Sequence, residues 1–135
     1  MLRPVGPGEL DHERIWTAVF FLAVGVAIAL PSQIWERLFC PFKLVVGLPC
    51  PGCGTTRMVL ALLAGEPSIA LSLNPLATVA ALGWGVFAAY GTVVAMGRLP
   101  RVRLEGSPRV WHQRAAMMVL GLVGVNWIYL IAAGA

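Results

Sequence analysis

Charged side chains are scarce in this chain. Six acids and ten bases make up 12% of its 135 residues, while 59% are hydrophobic. Soluble domains carry roughly 25% and 45–50%. So few polar groups cannot solvate the surface of a water-soluble domain of this length, which excludes that class and leaves an integral membrane protein. The ten bases give a net charge of +4, but they do not alternate with aromatic residues along a groove, so nucleic acid is excluded as a partner. No apolar run carries the ring of charge used by a selective pore. The first residues also lack the net positive charge of a cleaved signal peptide, since Glu9, Asp11 and Glu13 stand there. The first apolar run is therefore expected to stay in the protein.

Three apolar runs are long enough to cross a bilayer, which needs about 20 residues. The first covers residues 15–35, with Trp16 and Trp35 as interfacial anchors. The second covers residues 75–97 and starts at Pro75, because proline breaks the preceding run yet suits a first helical turn. The third covers residues 115–135. Between the last two lies a loop, residues 98–114, with five arginines: Arg98, Arg101, Arg103, Arg109 and Arg114. Under the positive-inside rule this loop and the N-terminal residues 1–14 are cytoplasmic, and residues 36–74 are extracytoplasmic. Residues 15–135 then form a single membrane domain in contact with lipid. Ala77, Ala81, Gly85 and Ala89 recur every fourth position in the second span, a stripe that lets helices approach closely. The third span offers Gly121, Gly124 and Asn126, whose amide can hydrogen-bond to another helix. The partner helix belongs either to this chain or to another, in a homo-oligomer or a larger membrane complex.

The chemistry is concentrated outside the spans. All three cysteines, Cys40, Cys50 and Cys53, fall in the outer segment. Cys50-Pro51-Gly52-Cys53-Gly54 is a C-x-x-C turn whose proline and glycines force a tight reversal and bring two sulfurs together. Thr55 or Thr56 then caps a short helix ended by Gly65, and a second short piece runs from Pro67 to Leu73 before Asn74-Pro75. A helix of eight residues is only about 12 Å long. The expectation is therefore an all-α membrane protein with three transmembrane helices and short re-entrant or interfacial helices forming an extracytoplasmic cap. Thr56, Asn74 and Pro75 are its structural residues. Arg57, one turn after Cys53, either stabilises a thiolate or snorkels to headgroups.

Three readings of the sulfurs stay open. Cys40, Cys50 and Cys53 are candidate ligands for zinc, iron or copper, although His12 and His112 are both assigned to the cytoplasmic side. Cys50 and Cys53, with Arg57, are candidate residues of a membrane thiol-disulfide oxidoreductase. A structural disulfide is the third reading. The leading expectation is an accessory or assembly protein whose cap holds a disulfide or a metal site, with the oxidoreductase as the alternative.

Cys40-Pro41, Gly47, Pro49 to Gly54, Thr56-Arg57 and Asn74-Pro75 together resemble a family of small bacterial membrane proteins defined as a domain of unknown function. Its pattern is Cys-Pro, then Gly-x-Pro-Cys-Pro-x-Cys-Gly-x-Thr-Arg, then Asn-Pro. The resemblance implies a multi-span protein of the bacterial inner membrane and draws attention to Cys40, Cys50, Cys53, Arg57 and Asn74. It implies no activity.

Overall fold

A computed structural model describes residues 2–3, 11–30, 40–97, 101–102 and 109–134. In chain order the elements are β1 (Leu2–Arg3), α1 (His12–Ala29), α2 (Pro41–Val46), α3 (Thr55–Leu63), α4 (Pro67–Leu73), α5 (Pro75–Gly97), β2 (Arg101–Val102) and α6 (Arg109–Ala132). The protein is all-α apart from the two-residue strands, which pair antiparallel with Leu2 opposite Val102. Helices α1, α5 and α6 are long and apolar enough to span a membrane, and within the chain only 11%, 17% and 11% of their apolar windows are buried. Apolar surface of that extent is unstable in water and stable in lipid, so this is a multi-pass membrane protein.

Two span boundaries differ from the sequence-based expectation. Helix α1 starts at His12 because Asp11 caps it: the carboxylate accepts from the Arg14 backbone N–H at 3.2 Å and pairs with Arg14 Nε at 3.0 Å. It runs to Ala29; Trp35 and the end of the expected 15–35 span lie outside the described residues. Helix α6 begins at Arg109, six residues before the expected start, so His112 and Arg114 are helical rather than part of the arginine loop. Most of that loop, including Arg98 and Arg103, lies outside the described residues.

Helices α1 and α5 pack antiparallel. Glu13 and Thr17 approach Gly91, whereas Phe20 lies 3.6 Å from the Cβ position of Gly85. Trp84 stacks edge-on against Trp16 and Phe20, with centroids 6.2 and 5.5 Å apart, and its Nε1 donates to the Trp16 carbonyl at 3.3 Å. At Gly91 a methyl group would collide with Thr17 Oγ1 and lie 3.3 Å from the Glu13 carbonyl, so the absent side chain sets the helix spacing. Ala88, one turn earlier on α5, is 1% exposed.

The expected stripe of small residues therefore divides. Ala77 and Ala81 pack against the short helices, Gly85 receives Phe20, and Ala89 is exposed. A tight contact with α1 falls at Gly91, off the four-residue repeat.

Because α1 and α5 are antiparallel, Leu30 and Pro75 lie at the same end of the bundle. Helices α3 and α4 form a hairpin around Met58, Ala61 and Ala70, packed by Leu73, Ala77 and Ala81. Gly65, at φ +78°, makes the reversal between them. Helix α6 reaches the same end with its last two turns, which dock on the cap; Met117, Leu120 and most of its first half are exposed.

Candidate functional site

The cap is assembled from backbone turns that point inward. Cys40 precedes α2, whose first residue is proline and whose end is Gly47 in the left-handed region at φ +76°. In the next turn the Cys53 N–H donates to the Cys50 carbonyl at 2.9 Å, and the Thr55 N–H to the Gly52 carbonyl at 3.2 Å. Helix α3 starts at Thr55 with Gly54 at its N-cap, so neither Thr55 nor Thr56 caps it through a side chain. Gly54 is required twice over. Its φ is +79°, and a Cβ there would lie 2.9 Å from the Leu73 carbonyl oxygen, so the C-x-x-C turn rests directly on the end of α4.

Asn74 fastens this turn to two spans. It is 1% exposed and extended, ending α4 and starting α5. Its Nδ2 donates to the Cys53 carbonyl at 3.0 Å, with the Pro51 carbonyl and Thr55 Oγ1 at 3.5 Å. Its Oδ1 accepts from the Ala77 N–H at 3.1 Å, the N-cap bond of α5, and from Asn126 Nδ2 at 3.1 Å. Asn126 Oδ1 in turn accepts from the Leu76 N–H at 3.1 Å. Thr78 Oγ1 lies 2.8 Å from the carbonyls of both Ala70 and Asn74, beside the gap that Pro75 leaves in backbone donors. Two further bonds hold α6 to the cap: Trp127 Nε1 donates to the Pro49 carbonyl at 2.7 Å, and the Tyr129 hydroxyl to the Ser72 carbonyl at 2.8 Å.

Within this frame the sulfurs converge. Cys40, Cys50 and Cys53 are free thiols, and all three Sγ atoms lie within 4.8 Å of one another. Cys53 is buried, while Cys40 and Cys50 are partly exposed. Their acidities are split. The Lys43 backbone N–H facing its sulfur, followed by the Cys50 thiol, draws the Cys40 pKa from 9.0 down to about 7. Burial, and then the hydrogen bond with Cys40, pushes Cys50 up. Of the two, Cys40 is the sulfur that ionises first, its thiolate receiving the Cys50 S–H.

Arg57 is exposed on α3 and is not among the groups that shift Cys40 or Cys50. The backbone groups that favour the Cys40 thiolate are the N–H groups of Lys43 and Cys50. His12 and His112 lie far from the cluster. His12 adjoins Glu13, whose carbonyl meets Gly91, sixteen residues or about 24 Å along α5 from Pro75. His112 precedes Asn126 by fourteen residues, about 21 Å along α6.

These features define a helical multi-pass membrane protein carrying a three-thiol cluster in a cap at one end. Residues 40–88 match the model of a family described as "Protein of unknown function (DUF2752)". The matched stretch starts at the first cysteine and ends at Ala88, and so contains the cluster, Asn74 and the first half of α5. No curated protein and no solved structure matches the chain.

Proposed function

We propose that this is an accessory or assembly protein of the bacterial inner membrane that holds one thiophilic metal ion on Cys40, Cys50 and Cys53. The observation that carries this reading is the convergence of three sulfurs, not two, within 4.8 Å. Tetrahedral zinc thiolates hold their sulfurs about 3.8 Å apart, so a small contraction suffices. The backbone supports the same reading. N–H groups of Lys43 and Cys50 face the Cys40 sulfur and that of Gly52 faces Cys50, the kind of outer hydrogen bonding that favours thiolate ligands. In the proposed orientation the N-terminus and the arginine loop are cytoplasmic and the cap is extracytoplasmic, because the loop holds the chain's largest concentration of positive charge.

The thiol-disulfide oxidoreductase is the second reading, favoured by the C-x-x-C spacing. It is the weaker one because the acidic thiol is Cys40, outside that pair, while Cys50 is raised. Elemental analysis of protein purified without chelator, combined with intact mass after alkylation, separates the two. One metal per chain, lost on C50S and C53S, is expected. A Cys50–Cys53 disulfide that a quinone regenerates after reduction would overturn the metal reading in favour of the enzyme.

A further inference from the structure

The donor set of the cluster discriminates among soft metals. Among the described residues no histidine, aspartate or glutamate joins the three sulfurs, and both histidines stand at the far end of the bundle. Met58, the nearest methionine in sequence to Cys53, is 1% exposed within the hydrophobic core of the α3–α4 hairpin. Asn74 has its amide and carbonyl engaged by Cys53, Ala77 and Asn126. A structural zinc site requires four protein ligands, commonly all cysteine or a mixture of cysteine and histidine. Monovalent copper is a soft ion that selects thiolates and is satisfied by three of them in a plane.

We infer that the three-sulfur cluster is a site for Cu(I) in three-coordinate thiolate ligation, open on the side where Cys40 and Cys50 are partly exposed. This rests on the metal-binding reading above and names its ion. Binding forms three Cu–S bonds and releases to solvent the protons still carried by the thiols; copper enters and stays as Cu(I), so no electron is transferred. The resulting negative charge is met by the N–H groups of Lys43, Cys50 and Gly52 facing the sulfurs. Partial exposure gives a thiolate partner protein access to the ion, so the site suits transfer of copper rather than permanent burial.

The test uses the full chain, reduced and metal-free, in lipid nanodiscs under anaerobic conditions, loaded with one equivalent of Cu(I) or Zn(II). X-ray absorption at the copper edge is expected to show three sulfur neighbours and no nitrogen or oxygen. C40S, at a partly exposed position, should reduce the count to two sulfurs and weaken retention against a Cu(I) chelator at least about tenfold, with helical content by circular dichroism unchanged. Zn(II) should be surrendered to a competing chelator. Glu36, the acid four residues before Cys40, lies outside the described residues, and E36Q should leave the copper spectrum unaltered.

A fourth light-atom neighbour on copper, or tightly held zinc whose fourth ligand disappears in E36Q, would overturn the Cu(I) assignment and leave metal binding intact. Failure of the reduced protein to take up either ion would defeat the metal reading itself.

Discussion

Replacing Asn74 by alanine tests whether one buried carboxamide unites the cap with the spans. The side chain serves three groups at 3.0–3.1 Å: the buried Cys53 carbonyl and Asn126 amide and the partly buried Ala77 N–H. Each group left unsatisfied costs about 1–3 kcal/mol. The Ala77 N–H lies in the first turn of a helix and is only partly buried, so part of the loss is recovered there. A net local destabilisation of about 2–4 kcal/mol follows. Cys53 is buried and reacts with a thiol reagent only when the cap opens. At about 1.4 kcal/mol per tenfold, N74A should accelerate labelling of Cys53 in metal-free protein by about 30- to 700-fold.

N74D keeps the Oδ1 acceptor for Ala77 and Asn126 but presents an oxygen to the carbonyls of Cys53 and Pro51. It should loosen the cysteine turn while leaving α6 docked, as read from Trp127 fluorescence. If N74A labels Cys53 within about threefold of the parent rate, a change of well under 1 kcal/mol, the carboxamide does not hold the turn and the account of the cap is wrong.

Three further outcomes are expected. G54A combines left-handed strain, about 1–2 kcal/mol, with the contact to the Leu73 carbonyl, whereas G65A meets open space; chemical denaturation in detergent should show G54A to be the more damaging, and equal losses would contradict the close approach. G91A should part α1 from α5 and reduce cross-linking between cysteines introduced on facing positions of the two helices, with T17A restoring part of the yield; no rescue would mean that Thr17 is not the obstacle. In reduced, metal-free protein the alkylation rate of Cys40 should rise with pH around a midpoint of about 7, while Cys50, pushed up by burial, should respond only at higher pH. Since the folded value for Cys40 is the lower one, its contribution to stability is complete above about pH 9 and is lost as the pH falls through about 7; a midpoint near 9 would refute the Lys43 contact.

Much of this architecture is legible in the residue pattern because lipid allows few solutions. Pro75 marks the start of α5, since a ring that blocks the preceding turn also suits a first turn. Gly65 marks the end of the α3 segment, since a left-handed residue there favours glycine. The convergence of Cys50 and Cys53 follows from their spacing, and the ability of Asn126 to bond to another helix follows from the cost of an idle amide in an apolar span.

What is not legible depends on contacts between residues distant in sequence. Gly91 stands outside the small-residue repeat, and only the path of α1 past Thr17 reveals its importance. Spacing leaves Arg57 open to a thiolate or to headgroups, whereas the N–H groups of Lys43 and Cys50 that face the Cys40 sulfur leave no compositional trace. Helix α2 is too short for periodicity to reveal, and the bond from Trp127 to the Pro49 carbonyl joins positions that nothing in their neighbourhoods connects.

The hydrogen bonds from Asn126, Trp127 and Tyr129 also set an order of events during biosynthesis. Residues 49–55 are synthesised well before residues 126–129; at about 5–20 residues per second the interval is about 4–14 s. Throughout that delay the nascent cysteine turn lacks the partners that the last helix brings, so its thiols pass through an interval of greater vulnerability to oxidation or premature capture. Completion of the cysteine turn is therefore tied to insertion of α6, and a truncation ahead of Asn126 would strand the turn unfinished even though every sulfur is present.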